Sequence, residues 1–261
     1  MEVLIRENPE SGALVGAKII AKIVREKPDA VLGLATGRTP LRLYQELIRQ
    51  HREEGLDFSR ITTFNLEEYV GLPATHDQSY RYFMQENLFQ HINIEVKNTH
   101  VPDGTADNLH EECRGYEQKI LDAGGIDVQL LGLGRNGHIG FNEPTGSLRS
   151  RTWIKILSEQ TLTDNSEVFG SLEAMPKHAL TMGVGTILDA RRCLLLAFGP
   201  AKVRAVEDMI EGPLAAICPG SALQLHARAT VILDENSAAG LRYADHYRWI
   251  DKNKFEWQRH K

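Results

Sequence analysis

Cysteine is scarce in this chain. Cys113, Cys193 and Cys218 are scattered over 261 positions, a number and spacing that fit neither a disulfide framework nor a cysteine-built metal site. No apolar run reaches the roughly 18 residues of a membrane-spanning helix. The opening residues, MEVLIRENPE, lack a basic start followed by an apolar stretch, so no secretory leader is expected. Positive charge is not in excess: the net charge of -5 gives no electrostatic reason to expect nucleic acid. Internal repeats, low-complexity tracts and Gly/Ser/Pro linkers are missing as well. What is present is 42% apolar and 25% charged residues, with length for one large core or two small ones. The default expectation is a cytoplasmic enzyme with a small-molecule substrate and no membrane partner.

Apolar runs of strand length alternate with helix-length amphipathic segments. Val3 to Ile5, Ala30 to Leu34, Ile61 to Phe64, Ile126 to Leu133, Cys193 to Gly199 and Ala229 to Leu233 read as strands. Between them, Asn8 and Pro9 open a helix to about Lys27. Thr39 and Pro40 open another, carrying Leu43, Tyr44, Leu47 and Ile48. Ser79 caps a helix whose aromatic residues read as core, and residues 107–121 form a polar helix with Cys113 on its apolar stripe. Ala179 to about Leu188 reads as a helix before the strand at Cys193. This alternation predicts a doubly wound, mostly parallel α/β sheet with helices on both faces, Rossmann-like. Residues 1–240 then form a single catalytic domain, with a polar lid at about 158–178. Residues 241–261 form a charged, aromatic tail that docks as a helix or meets a second subunit, which leaves room for a homo-oligomer.

Chemistry-bearing residues gather where strands end, as open α/β sheets require. The stretch IDVQLLGLGRNGHIGFNEPTG runs from a buried strand into a loop that brings Asn136, His138, Asn142 and Glu143 among four glycines. Histidine titrates near neutrality, so His138 is the acid/base candidate, with Asn136 and Glu143 as partners that fix its tautomer. The same spacing also suits a glycine-rich turn with a structural histidine. Thr36, Gly37, Arg38 and Thr39 offer backbone N–H groups, hydroxyls and a guanidinium to a phosphate, or else only a turn and a cap. Glu67 and Glu68 are a base with its orienting neighbour, or a solvated loop. Lys202, placed in the first turn of a helix beyond a strand, fits anion binding.

The segments LGLATGRTP, TTFNLEEYVGLP, SYRYFM, LLGLGRNGHIGFNEP, SRT and ALTMGVGTILDA resemble those of the glucosamine-6-phosphate deaminases, and in that order, over about residues 1 to 235. The resemblance implies conversion of glucosamine 6-phosphate and water to fructose 6-phosphate and ammonia, with no metal and no organic cofactor. It gives His138 ring opening, Glu143 the task of holding that histidine, and Asn136 a position that alternates between aspartate and asparagine. Glu67 takes the place of the aspartate that shuttles a proton between C2 and C1. Thr36, Gly37, Arg38, Thr39 and Lys202 hold the phosphate. Three positions depart from the family pattern. Glu67 is one methylene longer than the aspartate. Glu167 stands where the lid has a phosphate-binding arginine. Trp153 replaces an arginine used for an effector phosphate, which argues against activation by N-acetylglucosamine 6-phosphate. Rival expectations are an isomerase or deaminase of another or unphosphorylated amino sugar, a 6-phosphogluconolactonase, and a sugar-phosphate sensor without catalysis.

Overall fold

The computed structural model describes residues 1–171 and 173–259, the side chains of Glu167, Val168 and Trp257 excepted. In chain order it runs β1 (Glu2–Arg6), α1 (Pro9–Glu26), β2 (Val31–Leu34), α2 (Leu41–Glu54), β3 (Thr62–Asn65), β4 (Glu67–Tyr69), α3 (Tyr80–Asn87), β5 (Thr99–His100), α4 (Leu109–Asp122), β6 (Val128–Gly132), β7 (Trp153–Ile156), α5 (Glu159–Asn165), β8 (His178–Thr181), α6 (Val184–Leu188), β9 (Cys193–Ala197), α7 (Val203–Ile210), β10 (Ala229–Asp234) and α8 (Ala244–Lys252). A seven-stranded sheet has the order β1-β10-β9-β6-β2-β3-β5, and each neighbouring pair in it is parallel. All residues of β9 and β10 are buried, which is why these strands read as unbroken apolar runs.

From β2 the chain winds one way through β3 and β5, and the other way through β6, β9 and β10. The reversal opens a crevice at the carboxyl ends of β2 and β6, the place where such sheets bind ligands. Asn8 caps α1, accepting from the Ser11 N–H at 2.9 Å, while the Ser11 hydroxyl returns to Asn8. On the opposite edge of the sequence, α8 lies against β1. Arg6 pairs with Asp251 at 2.8 Å and Lys254 with Glu2 at 2.6 Å. Among the described residues no helix is long and apolar enough to cross a membrane.

Several local expectations change. A second, antiparallel sheet has the order β4-β8-β7, and its strands β4 and β8 occupy stretches read as loop and helix. Glu67 to Tyr69 are β4, paired with Thr181, Leu180 and Ala179 of β8. The helix expected from Ala179 therefore begins only at Val184. Those apolar residues satisfy a helical spacing, but backbone pairing on both sides of β8 decides for strand. α2 starts at Leu41, with Pro40 at its cap and no side-chain hydrogen bond there, so Thr39 stays in the loop. Lys202 ends a 3-10 turn, Pro200–Lys202, rather than lying in the first turn of α7. Tyr82, expected in the core, is exposed. Tyr80 and Phe141 pack instead around Tyr69 in a small second cluster.

Candidate active site

A cavity of about 190 Å³ opens at the crevice between the ends of β2 and β6, lined by Thr36 to Thr39, Glu67, His138, Thr161 and Lys202 among others. It is a cleft of small-molecule size. Asn136 and Glu143 lie behind His138 and complete the set of residues expected from the sequence.

The histidine is held by a chain of hydrogen bonds. Thr161 of α5 donates its hydroxyl to Glu143 Oε1 at 2.5 Å, and the Ser158 N–H reaches the same oxygen at 3.3 Å. Asn136 Nδ2 donates to Glu143 Oε2 at 2.8 Å. A carboxylate only accepts, so it fixes the amide with Oδ1 turned away, toward His138. Asn136 Oδ1 lies 2.7 Å from His138 Nδ1 and also accepts the His138 backbone N–H at 3.2 Å. Nδ1 must therefore carry the proton, which leaves the Nε2 lone pair bare. Glu143 Oε2 is 3.7 Å from His138 Nδ1, so Asn136 makes the closer contact and Glu143 acts largely through it. Gly134 is required by the same packing: a side chain there would collide with the imidazole.

Burial lowers the pKa of His138. The Glu143 charge opposes this and Lys202 adds to it. Burial pushes Glu143 up, yet the hydrogen bond from Thr161, the charge of His138 and the Asn136 amide leave it below the usual carboxylate range. At neutral pH the site holds a neutral imidazole beside an ionised glutamate. Glu67 is the reverse case. Burial, and then the Glu68 charge, raise its carboxyl to about 8. Its Oε2 is buried and has no hydrogen-bond partner among the described residues. Gly140, at φ 57°, leaves the space this longer side chain needs, for a Cβ there would stand 3.1 Å from Glu67 Oε2 and 2.9 Å from Thr181 Oγ1.

Glu68 is neither a solvated carboxylate nor an orienting partner of Glu67. It is buried and accepts the N–H groups of Tyr69, Tyr80 and Arg81, each at 2.9 Å, so it closes the start of α3. Trp153 donates its indole N–H to Asn142 at 3.2 Å, while Lys155 sits 4.7 Å over the ring. Thr145, in the turn after Glu143, has φ 72°, a strained conformation for a β-branched residue. Glu167 falls in a 3-10 turn, Ser166–Phe169, and its side chain lies outside those described.

Four lining or supporting residues were not expected from the sequence: Arg135, Asp164, Thr161 and Tyr80. Arg135 Nη1 reaches Asp164 Oδ1 at 3.0 Å, across 29 positions of sequence. No local spacing announces that pair. Tyr80 lines the cavity and donates its hydroxyl to Tyr69 at 3.0 Å; in sequence it stood only within SYRYFM, with no role of its own.

The fold and this cleft define an α/β enzyme with an acid–base pair in a small cavity rimmed by cations. The chain belongs to the glucosamine-6-phosphate isomerase/6-phosphogluconolactonase family, whose sequence model matches residues 10–232. It is 51% identical over 258 residues to a glucosamine-6-phosphate deaminase of Hahella chejuensis, covering 99% of this chain and 98% of that one. It is 50% identical over 258 residues to one from Arthrobacter sp., covering 99% of each. Among solved structures, a monomeric glucosamine-6-phosphate deaminase superposes with a TM-score of 0.91 at 47% identity, covering 92% of this chain and all of the other. The 6-phosphogluconolactonase of Trypanosoma brucei, at 20% identity and a TM-score of 0.72 over 92% of this chain and 98% of that one, shares the fold.

Proposed function

We propose that this chain is a glucosamine-6-phosphate deaminase, turning glucosamine 6-phosphate and water into fructose 6-phosphate and ammonia in the cytoplasm. The observation that carries the reading is a pair of oppositely perturbed groups lining one cavity: neutral His138 with Nε2 bare, and Glu67 raised to about 8. Two titrating groups pushed apart by their surroundings are the mark of divided acid and base work. Full-length relatives at about half identity support the same reading.

In this mechanism His138 Nε2 takes the proton from O1 of the pyranose. The C1–O5 bond breaks, and the imidazolium returns the proton to O5, giving the open-chain aldehyde. The substrate's ammonium beside Glu67 favours its ionised form, so the carboxyl becomes the base that removes the C2 proton. The enolate oxygen O1 takes one proton from the substrate's ammonium, and the neutral enolamine forms. Glu67 then delivers its proton to C1, leaving an iminium at C2. Water adds to C2 and ammonia departs. The reaction consists of proton transfers and hydrolysis, and no cofactor enters it. The backbone amides and hydroxyls of Thr36 to Thr39, with Arg38 and Lys202, bind the phosphate at the far end, so that binding energy orients the reacting carbons. Asn136 and Glu143 are positioning residues that keep Nε2 unprotonated.

The decisive assay follows ammonia and fructose 6-phosphate from glucosamine 6-phosphate, with unphosphorylated glucosamine in parallel. Turnover that depends on the phosphate is expected. Equal activity on both sugars would point to a different amino sugar, and no release from either would leave a sensor without catalysis.

A further inference from the structure

Arg135 leaves the β6 loop three residues before His138 and lines the same cavity as Thr36 to Thr39 and Lys202. Its partner Asp164, on helix α5, lines that cavity too. The ion pair measures 3.0 Å, with side-chain exposures of 53% and 29%. Asp164 also accepts from Gln160 Nε2 at 2.8 Å. A carboxylate thus stands among the cations at the end of the cleft assigned to phosphate. Burial holds the Lys202 ammonium below its usual range, with Asp164 pulling against that and Arg135 adding to it.

We propose that Arg135 is a ligand for the phosphate of the substrate, and that Asp164 holds its place until the phosphate arrives. A phosphate monoester carries about -1.5 to -2 charges at neutral pH and offers three strong acceptor oxygens. A planar guanidinium meets two of them at once. Asp164 carries one charge and uses a single oxygen on Arg135, so phosphate is the stronger partner for the same fork. The exchange frees α5 of one tie to the β6 loop and leaves the other, Thr161 on Glu143, in place. Binding at the phosphate end therefore reaches the helix that supports His138. This inference rests on the proposed reaction for its substrate, but not for its test.

Arg135→Gln and Asp164→Asn break the same ion pair. If the pair is only a latch on the lid, both variants shift phosphate binding in the same direction or not at all. If Arg135 is the ligand and Asp164 its competitor, the shifts have opposite signs. Inorganic phosphate titrated calorimetrically into each protein reads this without any turnover. The expected result is dissociation about 10-fold weaker for Arg135→Gln, and about 3-fold tighter for Asp164→Asn, with KM for glucosamine 6-phosphate moving in parallel. Both side chains are solvent-accessible, so neither change threatens the fold, and thermal melts check this. Shifts of the same sign, or unchanged phosphate affinity in Arg135→Gln, overturn the proposal. A wild type that binds phosphate but does not deaminate the sugar overturns the proposed reaction instead.

Discussion

The seven-stranded parallel sheet and the three-stranded antiparallel one differ in size, in polarity and in what they carry. The large sheet places two loops at its reversal point and buries a continuous apolar core. The small sheet has little core of its own but ties together segments that line or support the cavity. Glu67 opens β4 and pairs with Thr181 of β8. Thr181 Oγ1 accepts the Phe141 N–H at 3.0 Å, and the Met182 carbonyl accepts from Asn142 Nδ2 at 2.8 Å. β7 then leads into Ser158 and Thr161, which grip Glu143. The large sheet carries the main core, and the small one fixes the positions of Glu67 and the loop after His138.

Substitutions in the two sheets should therefore fail differently. Ile232→Ala, in the fully buried strand β10, should cost about 2–5 kcal/mol of stability. It should leave kcat per folded molecule unchanged, which denaturant melts and active-site-normalised kinetics check together. A fall in kcat would mean that the core and the site are coupled. At the site the pattern reverses. His138→Gln should cut kcat by about 100-fold or more with little change in melting temperature, and a variant with near-normal turnover would remove His138 from the mechanism.

Thr181→Val sharpens the contrast, because it keeps shape and removes the hydroxyl that accepts the Phe141 N–H and donates to the Met182 carbonyl. Leaving that buried donor unpaired should cost about 1–3 kcal/mol. If the small sheet positions the loop, kcat should also fall, by about 10-fold. Stability loss with unchanged kcat would make β8 merely structural.

Glu67 gives a pH signature rather than a fixed change. Its pKa moves from 4.5 to about 8 on folding, so between those values the native state holds a proton that the unfolded chain has lost. The stability tied to protonated Glu67 is fully present below 4.5 and is lost as pH rises through 8. Glu67→Gln removes this loss. The variant should gain on the wild type by up to about 1.4 kcal/mol per pH unit in that window, read from melts at pH 5, 6.5 and 8. A difference that does not change with pH would mean that Glu67 is ionised in the free protein.

The two sheets were also unequally legible in the sequence. Strands such as Cys193–Ala197 announce themselves because burial on both faces demands apolar residues throughout. The His138 loop was visible for a similar reason, since its glycines and polar residues follow directly on such a strand. β4 has three residues and β8 four, and Ala179, Leu180, Met182 and Val184 fit a helical stripe as well as a strand. Only pairing with partners distant in sequence tells them apart. Long-range partners also account for what was missed: the Arg135–Asp164 pair, and Thr161 on Glu143. The burial of Glu67 depends on Gly140 and the small sheet together, which no local pattern records.

All of these relations converge on the protonation of one ring. Long-range proton–nitrogen correlation spectra at pH 7, with the His138 signals assigned by their loss in His138→Gln, read its tautomer directly. The expected spectrum has the proton on Nδ1 and a bare Nε2, with part of the population moving to the other tautomer in Glu143→Gln, where the amide of Asn136 is free to turn over. A proton on Nε2 in the wild type, or an imidazolium at neutral pH, would contradict the assignment of His138 as the base that opens the sugar ring.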